Sequence, residues 1–464
     1  MKYKSILLIQ PMHEKNKRTV RTSINFPWGL AMLATLYQTS GYRVEILDGQ
    51  ALQIPKEELT TKIDAFEFDI AGISAFSTQY PAVKLISEHI RKNMGVPVIL
   101  GGPLATYQPE MVLRNTHTDV CVIGEGEISG MEVLKSWNDL DKVNGIAFKK
   151  GGKIVVTPPQ NRFVNLDELP MPVFDMFNME KYLKQRNVYA LKKNTGMRAM
   201  SIITSRGCPY NCNFCSKSSQ KFRSMSPRIV YEMLRFLKEE FKVEEVSFGD
   251  ELFLSNAPRF RELAPLLKSL GIPWGGQARV NLMNQEFLDV IKNSGCIGLG
   301  YGIESGSQKI LNNMNKKITV EQIESTMTYT QKLKIPIKVQ LIFGYPGEDE
   351  TTVQETIDLF KRIDNPGRRF NVITPIPGSF LYDDCIEKGL IKDEPGYLEG
   401  IEKSFGVGKV HVNFTKWPDD EIYPRKKAAE AAMLKNYYSK TSFRRAKYII
   451  ASSLGRKNRL RRVR

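Results

Sequence analysis

The stretch Ser205-Arg-Gly-Cys208-Pro-Tyr-Asn-Cys212-Asn-Phe-Cys215 holds three cysteines in the spacing C-x3-C-x2-C, and the next cysteine in the chain is Cys296. A [4Fe–4S] cluster is normally held by four thiolates, so three thiolates on one short loop leave one iron open to a ligand. A zinc ion is the alternative, but zinc loops usually add a second pair of cysteines or histidines, and this segment has no such pair nearby. The spacing therefore favours an iron–sulfur cluster with an open iron.

A repeating strand-and-helix pattern begins near residue 199 and places the cysteine motif directly after its first strand. The pattern predicts strands over residues 199–205, 245–248, 273–278, 297–302, 337–343 and 369–374. Six such units form a partial, open β/α barrel, and the chemistry of barrels lies at the carboxyl ends of their strands. The position of the cysteine motif agrees with that rule.

Polar and glycine-rich segments follow the later strands of this predicted barrel. In chain order they contain Asp250, Glu251, Arg279, Glu304, Gly344, Pro346 and Gly347. Each segment alone is a weak signal, because an acidic pair often begins a helix and a glycine-rich turn is usually only a turn. Their placement after successive strands predicts that they line one site.

The cysteine motif, with Phe214 before its last cysteine, and the ordered strand ends resemble the radical SAM enzymes over roughly residues 196–390. The resemblance implies that Cys208, Cys212 and Cys215 are catalytic and hold a [4Fe–4S] cluster, whose open iron binds the amino and carboxylate groups of S-adenosylmethionine (SAM). The family cleaves SAM reductively to methionine and a 5′-deoxyadenosyl radical that abstracts a substrate hydrogen. The resemblance also implies an external one-electron reductant of the flavodoxin or ferredoxin type.

The same resemblance assigns SAM contacts to the polar strand ends. Glu304 is expected to accept hydrogen bonds from the ribose hydroxyls, since one carboxylate can take both. The full set of expected contacts is Phe214, Asp250, Glu251, Arg279, Glu304, Gly344, Pro346 and Gly347.

The first 135 residues also alternate strands with amphipathic segments. Strands are predicted over residues 5–10, 43–48, 70–74, 98–101 and 120–124, with helices near 28–39, 56–66, 82–93 and 128–137. This alternation indicates a Rossmann-like, doubly wound parallel sheet, whose ligands bind beyond the carboxyl ends of the strands.

The strand ends of this sheet resemble the cobalamin-binding domain joined to many radical SAM enzymes. The residues implied to contact cobalamin are Ser74, Thr78, Gly101, Gly102, Gly124, Glu125 and Gly126. The histidine motif D-x-H-x-x-G is absent, because Pro11 and Asn16 stand at its Asp and Gly positions around His13. We therefore expect cobalt without a protein histidine, and His13 as a solvated loop residue; the alternative is a domain that kept its fold and lost the cofactor.

Between the two series, residues 145–156 predict a β-hairpin closed by Gly151-Gly152, and Pro170 and Pro172 predict an irregular strap. The fold class is therefore α/β, with a Rossmann-like sheet, a partial (β/α)6 barrel and a small, mostly helical C-terminal region. The expected divisions are a cobalamin-type domain over 1–137, a hairpin and linker over 138–195, the barrel over 196–390, a helical cover over 391–440 and a basic tail over 441–464.

Charge and cysteine usage indicate the partners and the cellular compartment of the protein. The net charge is +17, and residues 441–464 contribute nine Lys or Arg and no acid, which leaves 17 − 9 = +8 over the rest. The tail is expected to be a solvated basic extension, and contact with anionic lipid is the alternative. Nucleic acid is disfavoured as a partner, because no recognised binding module accompanies the tail. Cys121, Cys296 and Cys385 are expected as buried thiols. The lack of an export signal or apolar span, with an oxygen-labile cluster, predicts the cytoplasm, with the inner membrane face as the alternative site.

The predicted function is cobalamin-dependent methylation of an unactivated carbon by a radical SAM enzyme acting on a small or lipid-like molecule. The first alternative is ring closure or rearrangement on the same scaffold without methyl transfer. The second alternative is a non-enzymatic cobalamin or redox sensor. A methylthiotransferase is disfavoured, because only Cys121 precedes residue 208 and its second cluster needs three N-terminal cysteines.

Overall fold

The computed structural model describes residues 3–13, 25–184, 197–217, 219, 221–367, 369–402, 404–406 and 408–442. Its strands are β1 (Ser5–Gln10), β2 (Arg43–Asp48), β3 (Ile70–Ser74), β4 (Val98–Gly101), β5 (Val120–Val122), β6 (Ile146–Lys150), β7 (Lys153–Val156), β8 (Ala199–Ile202), β9 (Ser205–Arg206), β10 (Arg223–Ser224), β11 (Glu245–Phe248), β12 (Trp274–Ala278), β13 (Cys296–Glu304), β14 (Ile337–Phe343) and β15 (Phe370–Val372).

Helices alternate with these strands along most of the described chain. They are α1 (Trp28–Thr39), α2 (Gly49–Leu52), α3 (Lys56–Ile63), α4 (Tyr80–Asn93), α5 (Pro103–Tyr107), α6 (Pro109–Asn115), α7 (Gly126–Lys135), α8 (Met179–Leu183), α9 (Pro227–Phe241), α10 (Ala257–Leu270), α11 (Gln285–Asn293), α12 (Gln308–Asn313), α13 (Val320–Lys332), α14 (Glu350–Arg362), α15 (Phe380–Glu387), α16 (Glu394–Glu402) and α17 (Asp419–Ser439).

The first sheet has seven strands in the order β2-β1-β3-β4-β5-β6-β7. The first five are parallel, as the strand–helix alternation predicts, and β1 is buried along its whole length because helices cover both faces. The predicted hairpin is present, and it pairs antiparallel to β5 through β6. The positive φ angles of Gly151 and Gly152, 55° and 77°, give the tight turn that the hairpin needs. The hairpin therefore extends the first sheet.

The second sheet has six parallel strands in chain order, from β8 through β11, β12, β13 and β14 to β15, and it curls into a half-barrel. The fold class predicted from the strand pattern is thus confirmed. One strand differs in detail: the predicted strand 199–205 ends at Ile202, and Ser205–Arg206 forms the separate strand β9, which pairs with β10. This break turns the chain out of the barrel and into the cysteine motif.

The two sheets share buried contacts. Phe26 and Trp28 lie in the same hydrophobic cluster as Met200 and Ile202 of β8. The Trp28 indole Nε1–H donates to the Ser201 carbonyl at 2.9 Å, which satisfies the polar atom of a buried ring. The hydroxyl of Tyr182 in α8 donates to Asp48 at the end of β2. The contacts of Trp28 set the first sheet against β8, the first strand of the half-barrel.

The remaining sequence predictions concern single cysteines, membrane spans and the tail. Cys121, Cys296 and Cys385 are buried free thiols, as predicted. Within the described part of the chain, no helix combines the length and apolar character that crossing a membrane requires. The basic tail lies outside the described residues from position 443 onward.

Candidate active site

The cysteine loop, residues 207–222, leaves the barrel between β9 and β10. The antiparallel pairs Arg206–Arg223 and Ser205–Ser224 close the base of the loop. Gly207 begins it with φ of 77°, and a Cβ there would stand 2.8 Å from the Ser219 carbonyl oxygen. Only glycine combines this φ with so close an approach of backbone. The local sequence thus builds a tight loop at the carboxyl end of the first barrel strand.

The three thiols lie close enough to influence one another. Burial, together with the charges of Cys212, Glu251 and Cys208, raises the pKa of Cys215 to about 12. Burial also raises the pKa of Cys208. No three His, Cys, Asp or Glu side chains in the described ranges converge on one ion. In a cluster each thiolate binds a different iron, so the three thiols of one loop need not meet at a single ion.

Arg279 lies beside the thiols, as its position after the third barrel strand predicts. Its Nη1 is 3.7 Å from the Cys212 sulfur, its guanidinium stacks 3.7 Å from the Tyr210 ring centroid, and its Nε donates to Asn281. The Nη2 atom is buried without a hydrogen-bond partner. A buried donor without a partner is costly, so this atom fits a ligand that brings an acceptor, such as the SAM carboxylate.

The tip of the cysteine loop is bound on its far side by two later elements. The Asn213 backbone N–H donates to the Met314 carbonyl at 3.0 Å, and the Leu381 N–H of α15 donates to the Asn213 carbonyl at 2.8 Å. Phe214 packs edge-on against Tyr345, with 6.3 Å between ring centroids. The aromatic residue before the last cysteine therefore anchors the loop tip to the strand end after β14.

Asp250 uses one carboxylate oxygen to position the chain that leads into the cysteine loop. Its Oδ1 accepts hydrogen bonds from the Thr204 N–H at 3.0 Å, from the Thr204 hydroxyl at 3.1 Å and from the Ser205 hydroxyl. Burial raises the pKa of Asp250, and its Oδ2 is buried without a partner. The neighbouring Glu251 is exposed, and its charge reaches the thiols. Only Oδ2 of Asp250 is left for the predicted SAM contact.

Glu304, the predicted ribose ligand, forms a buried ion pair that the sequence does not predict. Its Oε1 lies 2.9 Å from Lys316 Nζ, and both side chains are 8% exposed. Lys316 Nζ also stands 5.5 Å from the Phe214 ring centroid. A Cβ at Gly302 would lie 2.5 Å from Glu304 Oε1, so glycine makes room for the pair. The pair keeps a charged acceptor at the barrel opening, with Oε2 left for a ligand.

The turn after β14 brings backbone close to the loop. Gly344 and Gly347 have φ of 82° and 87°, and a Cβ at Gly347 would stand 2.7 Å from Asn313 Nδ2. The Gly344 N–H donates to Glu348 Oε2 at 2.5 Å, and Asn313 Nδ2 donates to the Pro346 carbonyl at 3.1 Å. The turn that is predicted to contact SAM thus depends on two glycines, and its Tyr345 packs against Phe214.

A narrow apolar cavity, which we call the glycine slot, opens at the carboxyl ends of the first sheet and runs between α1 and α7. Its volume is about 70 Å³, and five predicted cobalamin residues line it: Ser74, Gly101, Gly102, Gly124 and Gly126. A Cβ at Gly130, also in its wall, would stand 2.4 Å from the Tyr37 hydroxyl. A side chain would fill such a slot, so its glycines fit the approach of part of a large ligand.

Thr78 lies in the loop after β3, outside the slot lining. Its hydroxyl is 3.4 Å from Nδ1 of His13, and the His13 ring tilts against Phe76 at 5.4 Å. The His13 N–H donates to Gln50 at 2.8 Å, and burial lowers the pKa of the imidazole. His13 is thus a half-buried loop residue, and the loop that holds Phe76 and Thr78 packs against its ring.

Glu125 faces the cysteine loop. One oxygen accepts from Arg206 Nη1 at 2.7 Å, and the other accepts from the Ser219 hydroxyl at 2.7 Å and from Arg223. Arg206 also donates through Nη2 to Glu127 at 2.5 Å. Burial works to raise the pKa of Glu125, but Arg206 and its other partners outweigh burial and lower it. The carboxylate is thus ionised and committed to the cysteine loop.

Tyr107, at the end of α5, adds a second link between the halves. Its hydroxyl donates to the Lys217 carbonyl of the cysteine loop at 2.5 Å. A Cβ at Gly378 would lie 2.4 Å from the Tyr107 ring, so a glycine after β15 accommodates the ring. Lys316, Arg206, Arg223 and Tyr107 are the site residues that sequence reasoning missed. Arg206 adjoins the cysteine motif, which is the only local signal any of them carries.

Comparison with known sequences agrees with this arrangement. The model of the radical SAM superfamily matches residues 202–360, and that of the B12 binding domain matches residues 18–134. An uncharacterized methyltransferase of Pyrococcus horikoshii, PH0819, is 33% identical over 403 residues, covering 84% of this chain and 85% of its own.

Two further relatives have named reactions. The cytidylyl-2-hydroxyethylphosphonate methyltransferase of Streptomyces wedmorensis is 26% identical and covers 92% of each chain. The anaerobic magnesium-protoporphyrin IX monomethyl ester cyclase of Rubrivivax gelatinosus is 26% identical, covering 84% of this chain and 72% of its own. Among solved structures, the radical SAM methyltransferase TsrM of Kitasatospora setae shares the fold, with a TM-score of 0.66 at 18% identity, over 83% of this chain and 76% of its own.

The chain belongs to the radical SAM enzymes that carry a B12-binding domain. Its cofactors are therefore a [4Fe–4S] cluster, SAM and cobalamin, and it draws electrons from an external reductant. The thiols, the unpaired Arg279 donor and the glycine slot are chemically suited to these groups.

Proposed function

We propose that this protein methylates an unactivated carbon of a small molecule, with SAM as the methyl donor. The observation that carries the proposal is the direct bonding of the Gly124-Glu125-Gly126 turn, at the glycine slot, to Arg206 at the base of the cysteine loop. Transfer of a methyl group to a carbon radical needs both cofactors at one substrate, and two reacting groups must be held within a near-attack distance. The methyltransferase relatives support this reaction over others.

Different residues of the site would bind the cluster and SAM. When bound, the cluster supplies the electron that cleaves SAM, and cobalamin carries the methyl group. Cys208, Cys212 and Cys215 would hold the cluster, and Arg279 would place an N–H donor beside it. Glu304, its charge balanced by Lys316, would accept from SAM at the opposite side of the opening. Arg279, Glu304 and Lys316 are buried, which would limit the access of water to a reactive radical.

Ring closure without methyl transfer is the second candidate, because a cyclase is among the relatives. The two reactions differ in what they make from SAM. A methyltransferase yields S-adenosylhomocysteine and 5′-deoxyadenosine in equal amounts, one from each use of SAM. A cyclase yields 5′-deoxyadenosine without S-adenosylhomocysteine.

The test uses anaerobically reconstituted protein with hydroxocobalamin, a chemical reductant and SAM carrying a deuterated methyl group. We expect a deuterated methyl on a compound from a small-molecule extract, together with equal amounts of the two nucleoside products. A variant with all three motif cysteines replaced by alanine should form no 5′-deoxyadenosine. Formation of 5′-deoxyadenosine alone by the wild-type protein would contradict methyl transfer and favour the cyclase.

We also propose an electron donor and a cellular compartment for the protein. A flavodoxin or ferredoxin would be the one-electron donor, and the reducing cytoplasm would protect the thiols and the cluster. A lipid-like molecule is the alternative substrate. Contact of the protein with the inner membrane face rests on the basic tail alone, which lies outside the described residues.

A further inference from the structure

A chain of three ion pairs, which we call the ionic network, joins the turn at the glycine slot to the base of the cysteine loop. It contains Glu125 and Glu127 from the first sheet and Arg206 and Arg223 from the barrel, so its formal charge is balanced. The four side chains are between 6% and 19% exposed. Arg206 spans both carboxylates with its two Nη atoms, a geometry that a lysine cannot reproduce.

The network adjoins the backbone of the glycine slot at one end and the backbone of the cysteine loop at the other. On the slot side, Glu125 stands between two glycines that line the cavity; Gly124 has φ of 83°, and no atom lies within 4 Å of a Cβ placed on it. On the other side, Arg206 immediately precedes Gly207, and Ser219, which donates to Glu125, packs its carbonyl against Gly207. A shift of the slot turn therefore moves groups bonded to the start of the cysteine loop.

We propose that Glu125 and Arg206 are a positioning pair that couples cobalamin binding to the state of the cysteine loop. Glu125 then acts through Arg206 and does not itself contact cobalamin, which replaces its expected role. Because linkage is reciprocal, a bound cluster strengthens cobalamin binding by the same factor by which cobalamin strengthens cluster binding. The inference rests on the two family cofactors but not on methyl transfer, so a cyclase would show the same coupling.

The test compares the dissociation constant of hydroxocobalamin for the full chain with and without a reconstituted cluster. We expect the cluster to tighten binding by about tenfold in the wild-type protein, a common size for coupling between sites. Glu125→Gln and Arg206→Gln should bring this ratio close to one. Arg206→Lys, which keeps the charge but loses the second donor, should keep part of it. The electron paramagnetic resonance spectrum of the reduced cluster should respond to cobalamin in the wild type and not in Glu125→Gln.

A matched control is the ion pair between Lys56 of α3 and Glu402 of α16, which also joins the first sheet to the C-terminal region and is buried. Glu402→Gln should lower stability without changing the ratio. If Glu125→Gln does not fold, Ser219→Ala removes one hydrogen bond to the same carboxylate and should reduce the ratio partly. A wild-type ratio of one, or an unchanged ratio in the folded variants, would overturn the proposal and leave the network a structural contact.

Discussion

Glu304 shows how much of the site is decided at single residues. It adopts φ of 65°, in the left-handed region, at the end of a buried strand, and its carboxylate pairs with Lys316. Such a backbone conformation costs a residue other than glycine about 1–3 kcal/mol, and costs of this kind concentrate at functional sites. Asn315 and Lys317 on either side of Lys316 are also left-handed, with φ of 52° and 54°. Two strained segments therefore meet to form one ion pair.

The pair yields a prediction about stability and SAM binding. Lys316→Met leaves the Glu304 carboxylate buried without its partner and should lower the free energy of unfolding by about 3–5 kcal/mol. The double variant Lys316→Met/Glu304→Gln should recover most of this loss, as measured by urea denaturation. SAM binding, measured by calorimetry, should fall in every variant that lacks the Glu304 carboxylate. Normal SAM affinity in Glu304→Gln would contradict the ribose role and leave Glu304 a structural residue.

The carboxyl group of Glu348 should make the stability of the protein depend on pH. Burial raises its pKa to about 8, although it accepts a hydrogen bond from the Gly344 N–H. The folded protein thus holds the proton that the unfolded chain releases near pH 4.5. Between these values the contribution of Glu348 to stability should fall as pH rises, by about 1.4 kcal/mol per pH unit, and it should level off above pH 8. Below pH 4.5 the contribution should be fully present.

The check is urea denaturation of wild type and Glu348→Gln between pH 5 and pH 9. The glutamine keeps an acceptor for Gly344 and cannot ionise, so the slope assigned to Glu348 should vanish. An identical pH profile for the two proteins would show that Glu348 titrates normally.

At the scale of elements, the ends of strands carry the site and their centres carry the core. The carboxyl ends of β3, β4 and β5 open the glycine slot, and the break between β8 and β9 releases the cysteine loop. Parallel strands bring their carboxyl ends to one edge, which is why segments far apart in sequence meet there. The antiparallel pair β9–β10 then fixes the base of the loop.

The slot can be tested at Gly101. A Cβ at this residue has no atom closer than 4.0 Å, and its φ is not in the left-handed region, so a larger side chain can be added without backbone strain. Gly101→Leu should fill part of the slot and weaken hydroxocobalamin binding by at least about tenfold, with little loss of stability.

Gly29→Ala is the matched control for Gly101→Leu. Gly29 is exposed on α1, the helix that walls the slot, and no atom lies within 4 Å of a Cβ placed there. This variant should bind cobalamin normally and gain stability from the better helix former. Full cobalamin affinity in Gly101→Leu, measured by the same titration, would place the cofactor elsewhere.

At the scale of the whole molecule, charge is unevenly distributed along the chain. The net charge of +17 falls to +8 without residues 441–464. A chain lacking those residues should keep its iron content and its rate of 5′-deoxyadenosine formation. Its binding to vesicles of anionic lipid should weaken relative to the full chain, and binding by the full chain should itself weaken with salt, because surface charges are screened. Unchanged vesicle binding after truncation, measured by sedimentation, would rule out the tail as the lipid contact.

The order and type of the elements could be predicted from local pattern. The five parallel strands of the first sheet and the six of the half-barrel follow from apolar runs separated by amphipathic segments, which need only near neighbours to be recognised. The end of β8 does not follow from local pattern, because the turn there depends on the pairing of β9 with β10. The hairpin was predicted, but its membership of the first sheet was not, since register with β5 is a long-range choice.

By itself, the sequence determined the cluster motif and the glycines of the slot, because cysteine spacing and small residues after strands are local properties. Only the tertiary structure decided the partners of the charged residues. Glu125 and Arg206 are 81 positions apart, and the Trp28 contact with Ser201 spans 173. Any exposed glutamate could pair with any arginine in the unfolded chain. The pairing of these charges is determined on folding, when the two sheets bury the same few charged side chains together. A charge that is removed from water is costly unless an opposite charge lies beside it.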